Sequence, residues 1–555
     1  MFIIGMFIGA IIYIIVYGIF RLDPTNDSWI MSSVFKDMQQ HYYGWVAYRQ
    51  SSWNFPFGQT DLLTYPNSRS IFYTDSIPIL AVFFKLLSPI LPDTFQYLGI
   101  FGFFSLVLQS AFGTVIFKKL RCNTFVSIAG GGLLTIMPII FLRMYHHTSL
   151  SAQWIILAAV YLWISENSIK NKKLLHLLWA VLAFIATGTH IYFAAMVFAV
   201  IFARTLHYQI VKFSIKSIIL NFTFPVISVL SALYIFGAFV GELSPVEGID
   251  GLEIFVTNIN GFYNPYRFSR FFKELPTASG SSEGLAYLGL GVLSIMVLLI
   301  AILVYKVIVN KFFRRNVEKP SKNSPKVKFS ILRWIKNNPF KFSIIVLILL
   351  SFVISLGTNP SFNEHKLFTL HLPNIILELW SIFRATGRFV WIAVYLVTIS
   401  VIVLLSRNVK NKYILNIAVI LALGVQYADV NPFIGDNLKE NLPYSSRLSN
   451  SFWKELEGYN HINTLGFKME EYLVFSEIFL KQGISFNNYY LARTTPNNYF
   501  VYDNNSLVIS NNEAFFTDYL TDYRHTEVDG YFVGVKDGTE GNFFELASAY
   551  QLDIR

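Results

Sequence analysis

Charge is what this sequence has least of. Only 14% of its 555 residues are Asp, Glu, Lys or Arg, against roughly 25% in soluble domains. By contrast 54% are hydrophobic, and the mean hydropathy is +0.47. That balance excludes an ordinary soluble enzyme. Cysteine is almost absent: Cys122 stands alone, so no internal disulfide braces the chain, and the residue reads as an interfacial thiol. Also missing are a nucleotide-binding glycine fingerprint, a Walker sequence, zinc-ligand spacing and a nucleophile elbow. The formal net charge of +10 would suggest nucleic acid in a soluble protein. Here the basic residues crowd into short connections between apolar runs, as membrane orientation requires, so nucleic acid is not an expected partner.

What is present is a series of apolar runs matched to about 30 Å of hydrocarbon. They fall near 2–20, 95–117, 124–142, 149–165, 174–189, 190–206, 217–240, 285–305, 343–357, 389–406 and 413–429. The expectation is a mainly α, polytopic bundle of about eleven transmembrane helices. The first run has neither a basic start nor a small-residue cleavage site before Arg21, so it reads as a retained helix rather than a signal peptide. The pair 174–189 and 190–206 is the least distinct. Residues 76–91, with Pro78, Lys85 and Pro89, suit an interfacial helix better than a span.

Alternate connections are basic: Lys118, Lys119 and Arg121; Lys170, Lys172 and Lys173; Arg204, Lys212 and Lys216; Arg407, Lys410 and Lys412. The stretch 306–341 has Arg314, Arg315, Lys319, Lys322, Lys326, Lys328, Arg333 and Lys336 against Glu318. The positive-inside rule then puts the N-terminus in the cytoplasm of a multi-pass plasma-membrane protein. An odd count of spans puts the C-terminal region outside with loops 21–94, 241–284 and 358–388. Residues 1–429 form the expected membrane domain. Residues 430–555, with strand-like 506–510 and 530–535 and a helical stretch near 470–481, form a small α+β extracytoplasmic domain.

Chemistry is expected in the outer loops. On a helix over 32–45, Asp37 and His41 share one face, where a carboxylate can orient an imidazole or both can meet a ligand. Asp75 lies in Asp75-Ser76-Ile77-Pro78, which equally reads as a helix N-cap before proline. Asp23 and Asp27, also four apart, compete for the same role. Arg384 and Arg388 share a face if 380–388 is helical, and guanidinium forks suit phosphate oxygens; interfacial anchoring is the alternative. Arg143, before His146 and His147, adds a cation, while His190 reads as a packing residue. Asp37, His41 and Asp75 could contribute to a magnesium or manganese site, with no compact ligand motif and the cofactor left open. Loop 241–284, with Glu242, Glu247, Asp250 and Glu253 followed by Arg267, Arg270 and Lys273, is a lid or an acceptor-binding segment.

Several strings then carry a resemblance: DMQQHYYGW at 37–45, WNFPFG at 53–58, TDSIP at 74–78, FQY at 95–97, NINGFYNP at 258–265, GLAYLG at 284–289 and WSIFRATGR at 380–388. A hydrophobic helix, an acidic outer loop and a proline-containing amphipathic stretch resemble the GT-C superfamily of polyprenyl-phosphate-sugar glycosyltransferases. Within it, the chain looks most like the bacterial membrane family DUF6311. The resemblance implies an inverting transferase that moves sugar from a polyprenyl phosphate to an envelope glycan, lipid or protein. It implies an outer-loop aspartate as general base, Asp37 first and Asp75 second, beside His41, and donor phosphate held by Arg384, Arg388 and Arg143. A transporter or flippase, a glycan polymerase or ligase, and a non-catalytic scaffold are the rival readings.

Overall fold

Short polar side chains close the turns at one end of the bundle. Asn123 accepts the Val126 amide at 2.9 Å, Asn171 accepts those of Lys173 and Leu174 at 3.0 and 3.2 Å, and Ser214 accepts that of Ser217 at 3.3 Å. Each supplies an acceptor that the first helical turn lacks. The computed structural model describes residues 1–33, 36–241, 251–278, 280–317, 330–439, 444–492 and 499–555. Glu242, Glu247 and Asp250 of the expected lid, and the basic run from 318 to 329, lie outside them.

Among the described residues, nine helices are long and apolar enough to cross a membrane: Leu98–Lys119, Thr124–Phe141, Thr148–Ser168, Lys172–Thr189, Ile191–Val211, Ile215–Ile235, Leu290–Asn310, Thr386–Asn408 and Lys412–Gly435. The expected count of about eleven is therefore corrected. Helix Phe2–Tyr17 has 16 residues, which at 1.5 Å per residue covers only about 24 Å. The expected span 343–357 is helix Pro339–Ser355, bent by 107° from Ile331–Asn337, where Pro339 breaks the backbone hydrogen-bond ladder. Counting that pair as one span gives ten. The indistinct pair resolves into two helices that separate at His190.

The basic turns gather at one end. Lys119 donates to Ser168 at 2.6 Å, Asn123 to Asn416 at 3.0 Å, and Lys306 to the Asn408 carbonyl at 3.0 Å. The last long helix, Lys412–Lys439, continues past residue 429.

The first loop folds over the opposite end around helix Lys36–Gln50, most of which is buried. Its polar groups are absorbed by backbone. Gln39 donates to the carbonyls of Ile30, Met31 and Ser33, and Arg49 to those of Pro92 and Asp93. Lys85, on the short helix Pro78–Leu86, donates to the carbonyls of Tyr48, Ser51 and Ser52. Of the competing acids, Asp23 accepts from Thr25, and Asp27 binds the Tyr42 hydroxyl at 2.9 Å and Lys481 at 3.1 Å.

The C-terminal part is a small α+β domain, as expected. Its five strands are β1 (His461–Leu465), β2 (Ser485–Phe486), β3 (Ser506–Ser510), β4 (Tyr523–Val528) and β5 (Tyr531–Lys536). They order β2-β1-β3-β5-β4. β1 runs parallel to β2 and β3, and β5 antiparallel to β3 and β4. The domain is stitched to the first loop: Tyr65 N donates to Phe486 O at 2.8 Å, Phe486 N to Leu62 O at 2.9 Å, and Ala492 N to Tyr73 O at 2.8 Å.

Candidate functional site

Both outer-loop acids of the sequence reading end beside imidazoles, though not beside the one expected. Asp37 lies in the first turn of Lys36–Gln50, and its Oδ2 is 3.2 Å from His147 Nδ1. His41, one turn on, faces inward and is fully buried. Its ring stacks on His147 with centroids 6.1 Å apart, and neither nitrogen has a hydrogen-bond partner among the described residues. The i,i+4 pairing of Asp37 with His41 therefore gives way to an Asp37–His147 contact supplied from the turn after Thr124–Phe141.

Asp75 does not cap the next helix. Its own φ is 53°, the helix Pro78–Leu86 begins after Ile77, also at φ 53°, and no side chain caps it. A β-branched residue in the left-handed region is a strained conformation of the kind found at functional sites. The bend turns the Asp75 carboxylate toward His190, with Nε2 3.4 Å from Oδ1. His190 Nδ1 accepts the Tyr192 amide at 3.3 Å, which leaves the ring proton on Nε2, facing the acid. A residue read as packing is thus an acid's partner.

Beside the Asp37–His147 pair lies a carboxylate that sequence reading did not select. Glu283 receives both arms of Arg143, at 3.1 and 2.9 Å, and Nε and Nη2 of Arg388, at 3.1 and 2.9 Å. Arg143 also reaches the Glu283 carbonyl at 3.1 Å. Close backbone approach sets this geometry. A Cβ on Gly284 would lie 2.5 Å from the Thr257 backbone, and one on Gly387 would lie 2.7 Å from Gly284. Thr257 Oγ1 donates to Gly387 O at 3.1 Å. Two glycines therefore let the chain segments of Glu283 and Arg388 touch.

Arg384 and Arg388 do not share a face. The helix Asn374–Ser381 ends before them, and Ala385 (φ −100°, ψ 74°) breaks the helical repeat. The Ala385 amide is held by the Tyr192 hydroxyl at 2.7 Å. Arg388 turns inward over the Tyr192 ring, 4.8 Å from its centroid. Arg384 is exposed and lies over Phe255 at 4.9 Å. Tyr490 of the C-terminal domain is held above by Gln40, which donates to its carbonyl at 2.6 Å. Burial raises the pKa of its hydroxyl, Asp37 raises it further, and Arg384 opposes both.

Electrostatics follow from burial. Burial pushes the Asp75 carboxyl up to about 7, with Arg388 opposing and Asp37 adding. Burial and then Glu283 raise Asp37, against Arg388 and Arg143. For Glu283 burial also pulls upward, but Arg143 and Arg388 overcome it and hold the carboxyl well below its usual range. Burial drives His41 down to about 3 and, helped by Arg388, drives His147 and His190 well below the ordinary imidazole value. The arrangement is two acids of raised proton affinity, each touching a neutral imidazole, next to a guanidinium pair that already binds one carboxylate.

Asp37, His41 and Asp75 do not converge as metal ligands. Among the described residues no group of three His, Cys, Asp or Glu side chains could hold a metal ion. The signal for the missed residues was positional: His147 and His190 occupy turns on the same end as Asp37, and Glu283 precedes the GLAYLG string.

A bundle of apolar helices with a charged acid–imidazole–arginine site at one end and a sheet domain over it defines a polytopic helical membrane protein. A family profile described as a domain of unknown function, DUF6311, matches residues 6–431, and the chain belongs to that family. No curated protein matches it.

Proposed function

We propose that the protein is an inverting, GT-C-type glycosyltransferase that transfers sugar from a polyprenyl-phosphate donor to a cell-envelope acceptor on the outer face of the cytoplasmic membrane. The observation that carries this reading is the convergence of Asp37 and Asp75, both with raised proton affinity, beside Arg388 and Arg143. A general base works best with a pKa near the operating pH. Cations beside it suit a phosphate leaving group.

In the proposed step the acceptor hydroxyl forms a bond to the anomeric carbon as the bond from that carbon to the phosphate oxygen breaks. The hydroxyl proton passes to Asp37, with Asp75 as the alternative base. The electron pair leaves with the polyprenyl phosphate, toward Arg388 and Arg143. His147 and His190 orient the two acids and stay neutral.

Topology supports an outer-face site. The first loop and the C-terminal domain touch, so an even number of crossings separates them. The nine helices plus the bent pair make ten. With the basic turns at the opposite end, the positive-inside rule favours an outer-face position for the site.

The test is release of polyprenyl phosphate and transfer of sugar from a panel of polyprenyl-phosphate sugars by the purified protein in nanodiscs, with and without EDTA. Asp37→Asn and Arg388→Gln should each lower turnover by about 100-fold or more. Loss in Asp75→Asn alone would move the base to Asp75. No turnover with any donor and acceptor, in protein shown to be folded, would favour a transporter or a scaffold.

A further inference from the structure

Arg143 and Arg388, from distant parts of the chain, close on one carboxylate: Arg143 spans both oxygens of Glu283, and Arg388 brings Nε and Nη2 to Oε2. A fork of guanidinium donors around paired anionic oxygens is the geometry used for phosphate as well as carboxylate. Of the three side chains the acid is the most open: 22% of Glu283 is accessible, against 12% of Arg388 and 2% of Arg143. It lies on the side of Asp37 and His147, both of which feel its charge.

We propose that Glu283 is a stand-in anion whose carboxylate fills the position taken by the phosphate of a bound isoprenyl phosphate. Its backbone is fixed by the Gly284–Thr257 and Gly387–Gly284 contacts and by the Arg143 bond to its carbonyl. Exchange therefore proceeds by rotation of the side chain and leaves the loop in place. The physical reason for such a group is the cost of leaving two guanidinium ions together, largely out of water, with no counter-charge. The carboxylate holds the forks in register while no donor is bound, and it competes with the phosphate, so the spent carrier is released more readily. Only the isoprenyl chain of the ligand rests on the transferase reading; anion exchange at the arginines is independent of it.

The experiment is calorimetric titration of the full-length protein in phosphatidylcholine nanodiscs at fixed ionic strength. Farnesyl phosphate, inorganic phosphate and farnesol are the probes, and wild type, Glu283→Gln, Glu283→Asp and Glu283→Gln/Arg388→Gln are the proteins. Glu283→Gln should bind farnesyl phosphate about tenfold or more tighter than wild type, a gain of about 1.4 kcal/mol. Inorganic phosphate should follow in the same direction and farnesol should not change. The double variant should lose the gain. Glu283→Asp, too short to reach both forks, should show a smaller gain, and it carries the test if Glu283→Gln does not fold.

Unchanged or weaker farnesyl phosphate binding in the folded variants would overturn the proposal, as would an equal gain for farnesol. A gain confined to inorganic phosphate would overturn the isoprenyl occupant. A gain in binding from a protein that transfers no sugar would leave the anion site standing and remove the transferase reading; transfer without the gain would do the reverse.

Discussion

His41 stacks on His147 with ring planes 26° apart, although it is Asp37, one turn earlier on the same helix as His41, that His147 touches. The imidazole of His41 works here as a flat, neutral surface. Its two nitrogens find no partner among the described residues, a condition that costs about 1–3 kcal/mol per buried polar group. His41→Phe should therefore raise thermal stability by about 1 kcal/mol at neutral pH. Below the ordinary pKa of 6.5 the unfolded chain binds a proton that buried His41 refuses until about pH 3. Wild-type stability is thus lost as pH falls through that window, and the advantage of His41→Phe widens. Melting of both proteins in nanodiscs between pH 4 and 8 checks the sign; a variant less stable at every pH would contradict it.

Asp75 predicts the opposite slope. Its carboxyl stays protonated to about pH 7 in the folded protein and to 3.8 in the unfolded chain. Above 3.8 the unfolded state releases a proton that the folded state keeps, so this group's contribution to stability declines until pH passes 7 and is flat beyond. Asp75→Asn, which cannot ionise, should match wild type near pH 4 and melt higher than wild type at pH 8. Equal melting across the range would mean that the acid is well solvated.

Gly387→Ala tests the clamp under the charged site. A methyl group 2.7 Å from Gly284 forces the two segments apart, at a cost of about 1–3 kcal/mol. The displacement should separate Arg388 from Glu283. Reduced melting temperature with reduced phosphate-probe binding is the expected outcome; a variant that melts and binds like wild type would show that the contact yields without consequence.

Orientation can be read with thiol labels, because Cys122 is buried and is the one native cysteine. In a Cys122→Ser background, Tyr519→Cys, 77% exposed in the sheet domain, should react with an impermeant maleimide in intact cells. Lys172→Cys, in a basic turn, should react only after permeabilisation. The reverse pattern would put the site in the cytoplasm and remove the outer-face reading.

Apolar runs announced most of the helices, because hydrocarbon thickness imposes a length that shows in any single stretch of sequence. The overcount came from segments whose length is marginal, Phe2–Tyr17 and Pro339–Ser355. The site was less legible for a reason of distance. Asp37 and His41 were paired because helical spacing is visible in sequence, whereas Asp37–His147, Asp75–His190 and Glu283–Arg388 depend on which helix ends meet. Arg384 and Arg388 were joined by the same periodicity, and the break at Ala385, fixed by a hydroxyl from Tyr192, is not written near them. The parallel pairing of β1 with β3 likewise joins residues separated by an intervening helix and β2.

The backbone bonds between Leu62, Tyr65 and Phe486 also impose an order of events. A ribosome delivers the first loop more than four hundred residues before it delivers the strand that loop must pair with. Until then the segment around Leu62 waits at the membrane surface with open backbone groups, and Tyr490 cannot yet stand over Asp37. Completion of this junction is therefore a late step of biosynthesis: a chain interrupted before residue 486 lacks the backbone partner of Leu62 and Tyr65.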